Sequence, residues 1–234
     1  MRGKLFSIKN SPLSEQAYKT LLDAIFNGSF FPGEPLRELH LAQELEISQT
    51  SVREALTKLE HVGLVVRVPN KGTFVTELSK KEIEERITLR GTLEEIAGVE
   101  ALKRITPAAL ADLNLKLGNI IRAVSINSYF EVAQADLEFH RLIWKISGNK
   151  TLYEMLDQLT VPLFAFISIL RRFEKESLDG AIESHREIIE AFGSGVDGRV
   201  REVIRQHSSP IYINFLNSET ENLQALARKT LLRK

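Results

Sequence analysis

The sequence predicts a mainly α-helical protein in two parts: three short helices with a β-hairpin, then an all-α antiparallel bundle of about six helices. Three observations predict it. Three of the seven prolines fall between Pro32 and Pro69, so the first third is punctuated by turns as the rest is not. The one convincing strand pattern runs from Leu64 to Val75. From Lys80 onward apolar residues recur at helical spacing without a strand between them.

Element by element, Ser11-Pro12 reads as the N-cap and first helical residue of a helix whose stripe is Ala17, Leu21, Leu22, Ala24 and Ile25, ended by Asn27-Gly28. After the Phe31-Pro32-Gly33 turn, Leu36, Leu39, Ala42 and Leu45 mark a short second helix. Ser48 starts a third with the stripe Val52, Ala55, Leu56, Leu59. Leu64–Val68 and Thr73–Val75 flank the turn residues Pro69-Asn70-Lys71-Gly72 as a hairpin. The helical remainder breaks near Thr106-Pro107, Ile126-Asn127-Ser128, Gly148-Asn149, Leu178-Asp179-Gly180 and Gly193-Ser194-Gly195. Pro162 and Pro210 fall inside apolar-periodic stretches and predict kinks or helix starts. Thr76–Lys81 is the expected junction, giving domains of residues 1–78 and 79–234. The residues from about Ser218 are polar and expected to fray.

Composition narrows the function. Thirty-one Lys plus Arg balance thirty-one Asp plus Glu, so the whole molecule cannot attract polyanions by net charge, and any nucleic-acid contact is local. With no cysteine there are no thiolate ligands, disulfides or Cys nucleophile, which suits a reducing compartment. The first residues lack an apolar signal core, and the longest apolar stretch, Val161–Leu170, falls short of a membrane span. The expected location is cytoplasmic, with no membrane partner.

Three helices followed by a hairpin are the parts of a winged helix-turn-helix, whose third helix enters the DNA major groove. On that helix Gln49, Thr50 and Arg53 lie opposite Val52, Leu56 and Leu59, where the first turns can present them to base edges and phosphates. Lys71 adds a cation at the wing tip, beside Asn70 and Gly72. From Ser48 to Val75 four Lys/Arg stand against two acids, a small surplus of the right sign. Pro32-Gly33, LRELHLAQELEISQTSVREALTKLEHVGLV and NKGTFV together resemble the DNA-binding domain of GntR-type bacterial repressors over residues 11 to 77. The resemblance implies DNA contacts at Ser48, Thr50, Ser51 and Arg53 and at Asn70, Lys71 and Gly72. Two residues depart from that pattern. Gln49 stands where the family has Arg, which exchanges a guanine reader for an adenine reader. Glu46 stands where a Gly opens the helix-helix turn, at a cost of about 1 kcal/mol if its φ is positive.

In the second part, histidines occupy apolar faces. Asp136 and His140, four apart, share a face with Ala133, Ile143 and Trp144. His185 lies between Ile182 and the pair Ile188, Ile189, and His207 continues the line Val200, Val203, Ile204. An ionised Asp among apolar groups must be paired or coordinate a metal. The residues alone leave two explanations: a metal held by one carboxylate and three imidazoles, or an Asp136–His ion pair with the other histidines bonded to backbone. D-x3-H, then Ser147-Gly148-Asn149, Glu183-Ser184-His185-Arg186 and a final His resemble the all-helical FCD ligand-binding domain of FadR-subfamily regulators over residues 82 to 220. The resemblance implies that Asp136, His140, His185 and His207 are metal ligands, for zinc ahead of nickel or manganese, and that a small organic acid binds at the metal. Its R-x-x-L-E pattern falls on Arg90–Glu94, making Arg90 the expected effector anchor, with a surface ion pair as the alternative. His40 and His61 match no ligand pattern and are expected in solvent.

The expected protein is therefore a homodimeric, ligand-responsive repressor of a pseudo-palindromic operator, not an enzyme, with no catalytic residue. A metal-dependent hydrolase is the alternative from another class, and the missing H-E-x-x-H motif and the DNA-reading part argue against it. A regulator whose metal is structural, or is itself the signal, is the alternative within the class.

Overall fold

The computed structural model describes residues 12–174, Leu178 and residues 180–207. Among them the elements run α1 (Leu13–Phe26), β1 (Pro35–Leu36), α2 (Glu38–Glu44), α3 (Gln49–His61), β2 (Val65–Val68), β3 (Gly72–Val75), α4 (Lys80–Leu102), α5 (Pro107–Ser125), α6 (Tyr129–Ile146), α7 (Lys150–Glu174), α8 (Gly180–Ser194) and α9 (Asp197–His207). This is the predicted mainly helical plan, six helices following the winged unit.

The N-terminal unit has one strand more than predicted. Leu36 does not begin the second helix but lies in β1, which pairs antiparallel with β3 as Pro35↔Phe74 and Leu36↔Thr73, giving the sheet order β1-β3-β2. A two-residue strand carries no periodicity, which is why the apolar spacing assigned Leu36 to a helix. Leu39 is likewise not core: it is 62% exposed on α2, where only Leu41 and Ala42 are buried. The expected N-cap Ser11 lies outside the described residues, and Pro12 takes the position before α1. Ser48 caps α3, its hydroxyl accepting from the Ser51 amide at 3.1 Å. The hairpin tip turns through Asn70, with a φ of 61°, and Gly72.

Helix α4 opens with a capping box between Ser79 and Glu82. Caps at Thr106 and Ser128 start α5 and α6 where the sequence placed its breaks. Helix α7 is continuous through Pro162. The missing proline N–H frees the Gln158 carbonyl, and the Arg86 guanidinium of α4 donates to it at 3.3 Å and to the Leu159 carbonyl at 3.4 Å. The other proline singled out, Pro210, lies outside the described residues.

Length and composition would let α7 cross a membrane, contrary to the expectation from Val161–Leu170 alone, but 67% of its most apolar window is buried inside the protein. It is the central core helix, with Val161, Leu163 and Phe164 fully or nearly buried. The winged unit rests on it. Gly63, after α3 and at a φ of 74°, sits so close that an added Cβ would lie 3.3 Å from the Gln158 carbonyl oxygen and 3.4 Å from Pro162 Cγ. Gln134 of α6 donates to Asp23 of α1 at 2.6 Å across the same junction.

Candidate functional site

Two sets of polar residues stand out, one on the outer face of α3 and one inside the bundle. On α3, Val52, Ala55, Leu56 and Leu59 are buried, which leaves Gln49, Thr50 and Arg53 exposed and Ser51 half-buried. The turn before it needs Glu46 at a φ of 53°, the left-handed conformation that a glycine would adopt without strain. The wing residues Asn70, Lys71 and Gly72 are exposed. A cleft of about 440 Å³ between wing and α2 is lined by Arg37, Glu38, Arg67 and Lys71 among others. The pattern on α3 did not point to Arg37 or Glu38, which lie outside it. Glu38 accepts from Arg53 Nε and Nη2 at 3.1 and 2.8 Å and from Gln49 Nε2 at 3.1 Å. The Arg53 bond holds the Glu38 carboxyl below the usual carboxylate range, against the opposing effect of burial. Sequence separations of 11 and 15 residues hid this link from any local motif.

Inside the bundle, α6 supplies Asp136 and His140 one turn apart, α8 supplies His185 and α9 supplies His207 at its last turn. All four are buried. One ligand atom from each lies within 4.8 Å of all the others. His185 Nε2 is 3.1 Å and His140 Nε2 3.3 Å from Asp136 Oδ1, and His140 Nε2 is 3.0 Å from His207 Nε2.

The outer edges of two rings show what this convergence means. His185 Nδ1 lies 2.6 Å from the Ala181 carbonyl oxygen, which can only accept, so that nitrogen carries the hydrogen. That leaves Nε2 as the ring edge His185 turns toward the Asp136 carboxylate. His140 turns its Nδ1 toward Glu94, 3.3 Å from Oε1, within ion-pair distance. Lone pairs crowded against a carboxylate repel one another unless protons or a cation stand between them. Three imidazole nitrogens and one carboxylate oxygen form a donor set suited to zinc, nickel or manganese, and outer acceptors that fix the tautomer are the usual support of metal-bound histidine. The residues therefore fit a metal.

Burial acts to raise the Asp136 carboxyl, yet His185 and His140 hold it well below the usual carboxylate range. Burial, followed by His185 and His140, pushes His207 well below the ordinary histidine range. The rival expectation, an Asp–His ion pair with backbone-bonded partners, is met at His185 by its Ala181 bond but does not account for His207, whose buried Nδ1 has no hydrogen-bond partner. Arg90 is buried beside the cluster, its Nε 3.2 Å from Glu94 Oε1 and its guanidinium carbon 4.9 Å from the Phe164 ring centre. The ion pair of Arg90 is thus buried and not at the surface, and Glu94 lies between it and His140. His40 and His61 are exposed. A cleft of about 640 Å³ opens between His61 and Val62 at the end of α3 and the α6–α7 corner, and it shares the Trp144 wall with the cluster.

The chain matches two family models: the gntR family of bacterial regulatory proteins over residues 13–75 and the FCD domain over residues 85–209. It is 28% identical over 200 residues to YdhC of Bacillus subtilis (strain 168), described as an uncharacterized HTH-type transcriptional regulator, covering 85% of this chain and 87% of that one. It is 24% identical over 213 residues to the HTH-type transcriptional repressor RspR of Escherichia coli (strain K12), covering 90% and 92%. The solved structure of E. coli McbR/YncC superposes with a TM-score of 0.72 at 25% identity, covering 88% of this chain and all of that one.

Proposed function

The chain belongs to the gntR family of bacterial regulatory proteins and carries an FCD domain, and from that premise we propose a homodimeric repressor whose operator affinity is set by a divalent metal and a small carboxylate effector. Residues 1–78 form its DNA-binding domain and residues 79–234 its sensing and dimerising domain. The families and relatives it matches are transcriptional regulators, which removes the metal-dependent hydrolase from consideration.

On the DNA side, α3 enters the major groove with Gln49, Thr50 and Arg53 at the base edges and phosphates, Ser48 and Ser51 at the backbone, and the wing residues Asn70, Lys71 and Gly72 over an adjacent groove. Two copies related by a two-fold axis read two half-sites. On the sensing side, Asp136, His140, His185 and His207 hold the metal, zinc ahead of nickel or manganese. The observation that carries this reading is the convergence of Asp136 and three buried imidazoles, one ligand atom of each within 4.8 Å of the others, while His185 turns its Nδ1 to the Ala181 carbonyl. A bound divalent ion would supply a Lewis-acid centre for a carboxylate oxygen. Arg90 supplies the complementary cation, held by Glu94. Effector binding then favours one packing of α6, α8 and α9, which shifts operator affinity only as far as the effector prefers that packing.

The test is a pair of substitutions read by elemental analysis, calorimetry with Zn²⁺ and a panel of small organic acids, and operator binding. Asp136→Ala is expected to lower metal content at least tenfold and to abolish the acid response, with operator binding by the metal-free protein still measurable. Arg53→Ala is expected to abolish operator binding and leave metal content unchanged. Full metal content in Asp136→Ala refutes the site. Metal binding with no response to any acid would favour a structural or sensed metal.

A further inference from the structure

We propose that Glu38, on α2, is a specificity-determining residue of the DNA-reading face: it fixes which way the Gln49 amide is turned and which edge of Arg53 remains for DNA. This rests on the reading of α3 as the groove-entering helix.

A glutamine amide carries an acceptor and a two-hydrogen donor on opposite sides, so an exposed one can rotate to suit almost any base edge and discriminates poorly. Beside a carboxylate that freedom ends, because Oε1 turned toward Glu38 would be repelled while Nε2 donates to it at 3.1 Å. Only one of the two amide hydrogens is used. The other hydrogen and Oε1 remain as a donor-acceptor pair in a single sense, the pair that adenine N7 and N6 require. Glu38 therefore converts an ambiguous reader into an oriented one.

The same carboxylate accepts from Arg53 Nε at 3.3 and 3.1 Å and from Nη2 at 2.8 Å. That engages the side edge of the guanidinium and leaves the Nη1 end for a phosphate or guanine. Gln49 and Arg53 are one turn apart on α3, so one acid on a neighbouring helix holds both. The Glu38 side chain is 23% exposed and that of Arg53 57%, which places this clamp at the protein surface, where DNA can reach it. Its charge also matters. A carboxylate facing a polyanion opposes binding and offsets one cation, so the residue lowers affinity for every sequence while sharpening the choice among them.

The experiment uses full-length protein and the tightest duplex selected by it from a random library, with each base pair then varied in turn. Gln49→Ala identifies the base pair that Gln49 reads. Glu38→Ala is expected to lose about tenfold or more of the discrimination at that same base pair, the range a bidentate base contact supplies. It is also expected to bind a random duplex as tightly as the parent or tighter, and to show a salt dependence steeper by about 0.9 per half-site as Arg53 turns to a phosphate. The double variant Glu38→Ala/Gln49→Ala should discriminate there no worse than Gln49→Ala alone. Discrimination unchanged in Glu38→Ala overturns the proposal while leaving α3 as the reader. If neither Gln49→Ala nor Arg53→Ala alters DNA binding, the reading of α3 fails and the proposal falls with it. A thermal melt of Glu38→Ala matching the parent shows that altered binding is not lost folding.

Discussion

Single residues decide the DNA face. Glu46 holds a positive φ at 53° in the turn into α3, where a side chain costs about 1 kcal/mol relative to glycine. Glu46→Gly is expected to leave stability unchanged or raise it by up to about 1 kcal/mol, since glycine's looser unfolded chain offsets part of the relief. It should also tighten operator binding by removing an acid next to the groove. Denaturant titration and operator titration read the two effects separately, and a loss of stability would contradict the strain. Gln49→Arg is expected to shift one position of each selected half-site from adenine toward guanine. Selection from a random library checks this, and an unchanged preference at every position refutes it. At the bundle core, the four candidate ligands were legible because a polar residue on an apolar helical face is conspicuous. Asp136, His140, His185 and His207 each break such a stripe. Glu94 and Glu38 were not legible as partners. Each meets its histidine, glutamine or arginine across the fold, and nothing in a local stripe encodes that meeting.

At the scale of elements, helix boundaries were written in caps and breaks. Ser48, Ser79, Thr106 and Ser128 each accept from an amide three residues on. Strand β1 and the exposed Leu39 escaped, because a two-residue strand exists only through its partner β3 and a seven-residue helix has room for little periodicity. Helix α9 shows how packing places a ligand. It lies against α4 at Gly98, where an added Cβ would come within 2.2 Å of Ile204 Cδ1 and 3.2 Å of Val200 Cγ1. That close approach brings His207, at the end of α9, to the other donors. Gly98→Val is therefore expected to destabilise the protein by roughly 1–3 kcal/mol through overpacking. It should weaken Zn²⁺ affinity even in protein that remains folded, because His207 is displaced. Calorimetry at a temperature well below the unfolding midpoint tests this, and unaltered affinity would show that α9 does not need Gly98 to deliver its histidine.

For the whole molecule, a metal held by α6, α8 and α9 would join segments far apart in the chain, so loading and folding would be linked. Saturating Zn²⁺ at about a hundred times its dissociation constant should add about 2.7 kcal/mol of stability, and a chelator should remove it, both visible as a shift in melting temperature. The shift should vanish in Asp136→Ala. Dimerisation belongs to the same scale. Leu89 and Ile96, 54% and 44% exposed and seven residues apart on α4, form an apolar line that the described residues leave open. Sedimentation should give twice the 26.5 kDa chain mass, and the double change Leu89→Asp/Ile96→Asp should halve it and weaken operator binding.

The proline in the middle of α7 marks where a dimer of this chain would bend. The helix of 25 residues extends about 37 Å, and its hydrogen-bond ladder is interrupted at Pro162, directly beneath Gly63. By helix length alone, a bend of about 5° there would swing an end by about 1.5 Å. The reading head sits on that fulcrum, so in a dimer small adjustments deep in the bundle would emerge as a change of pitch between two heads that must keep step with the turns of a double helix.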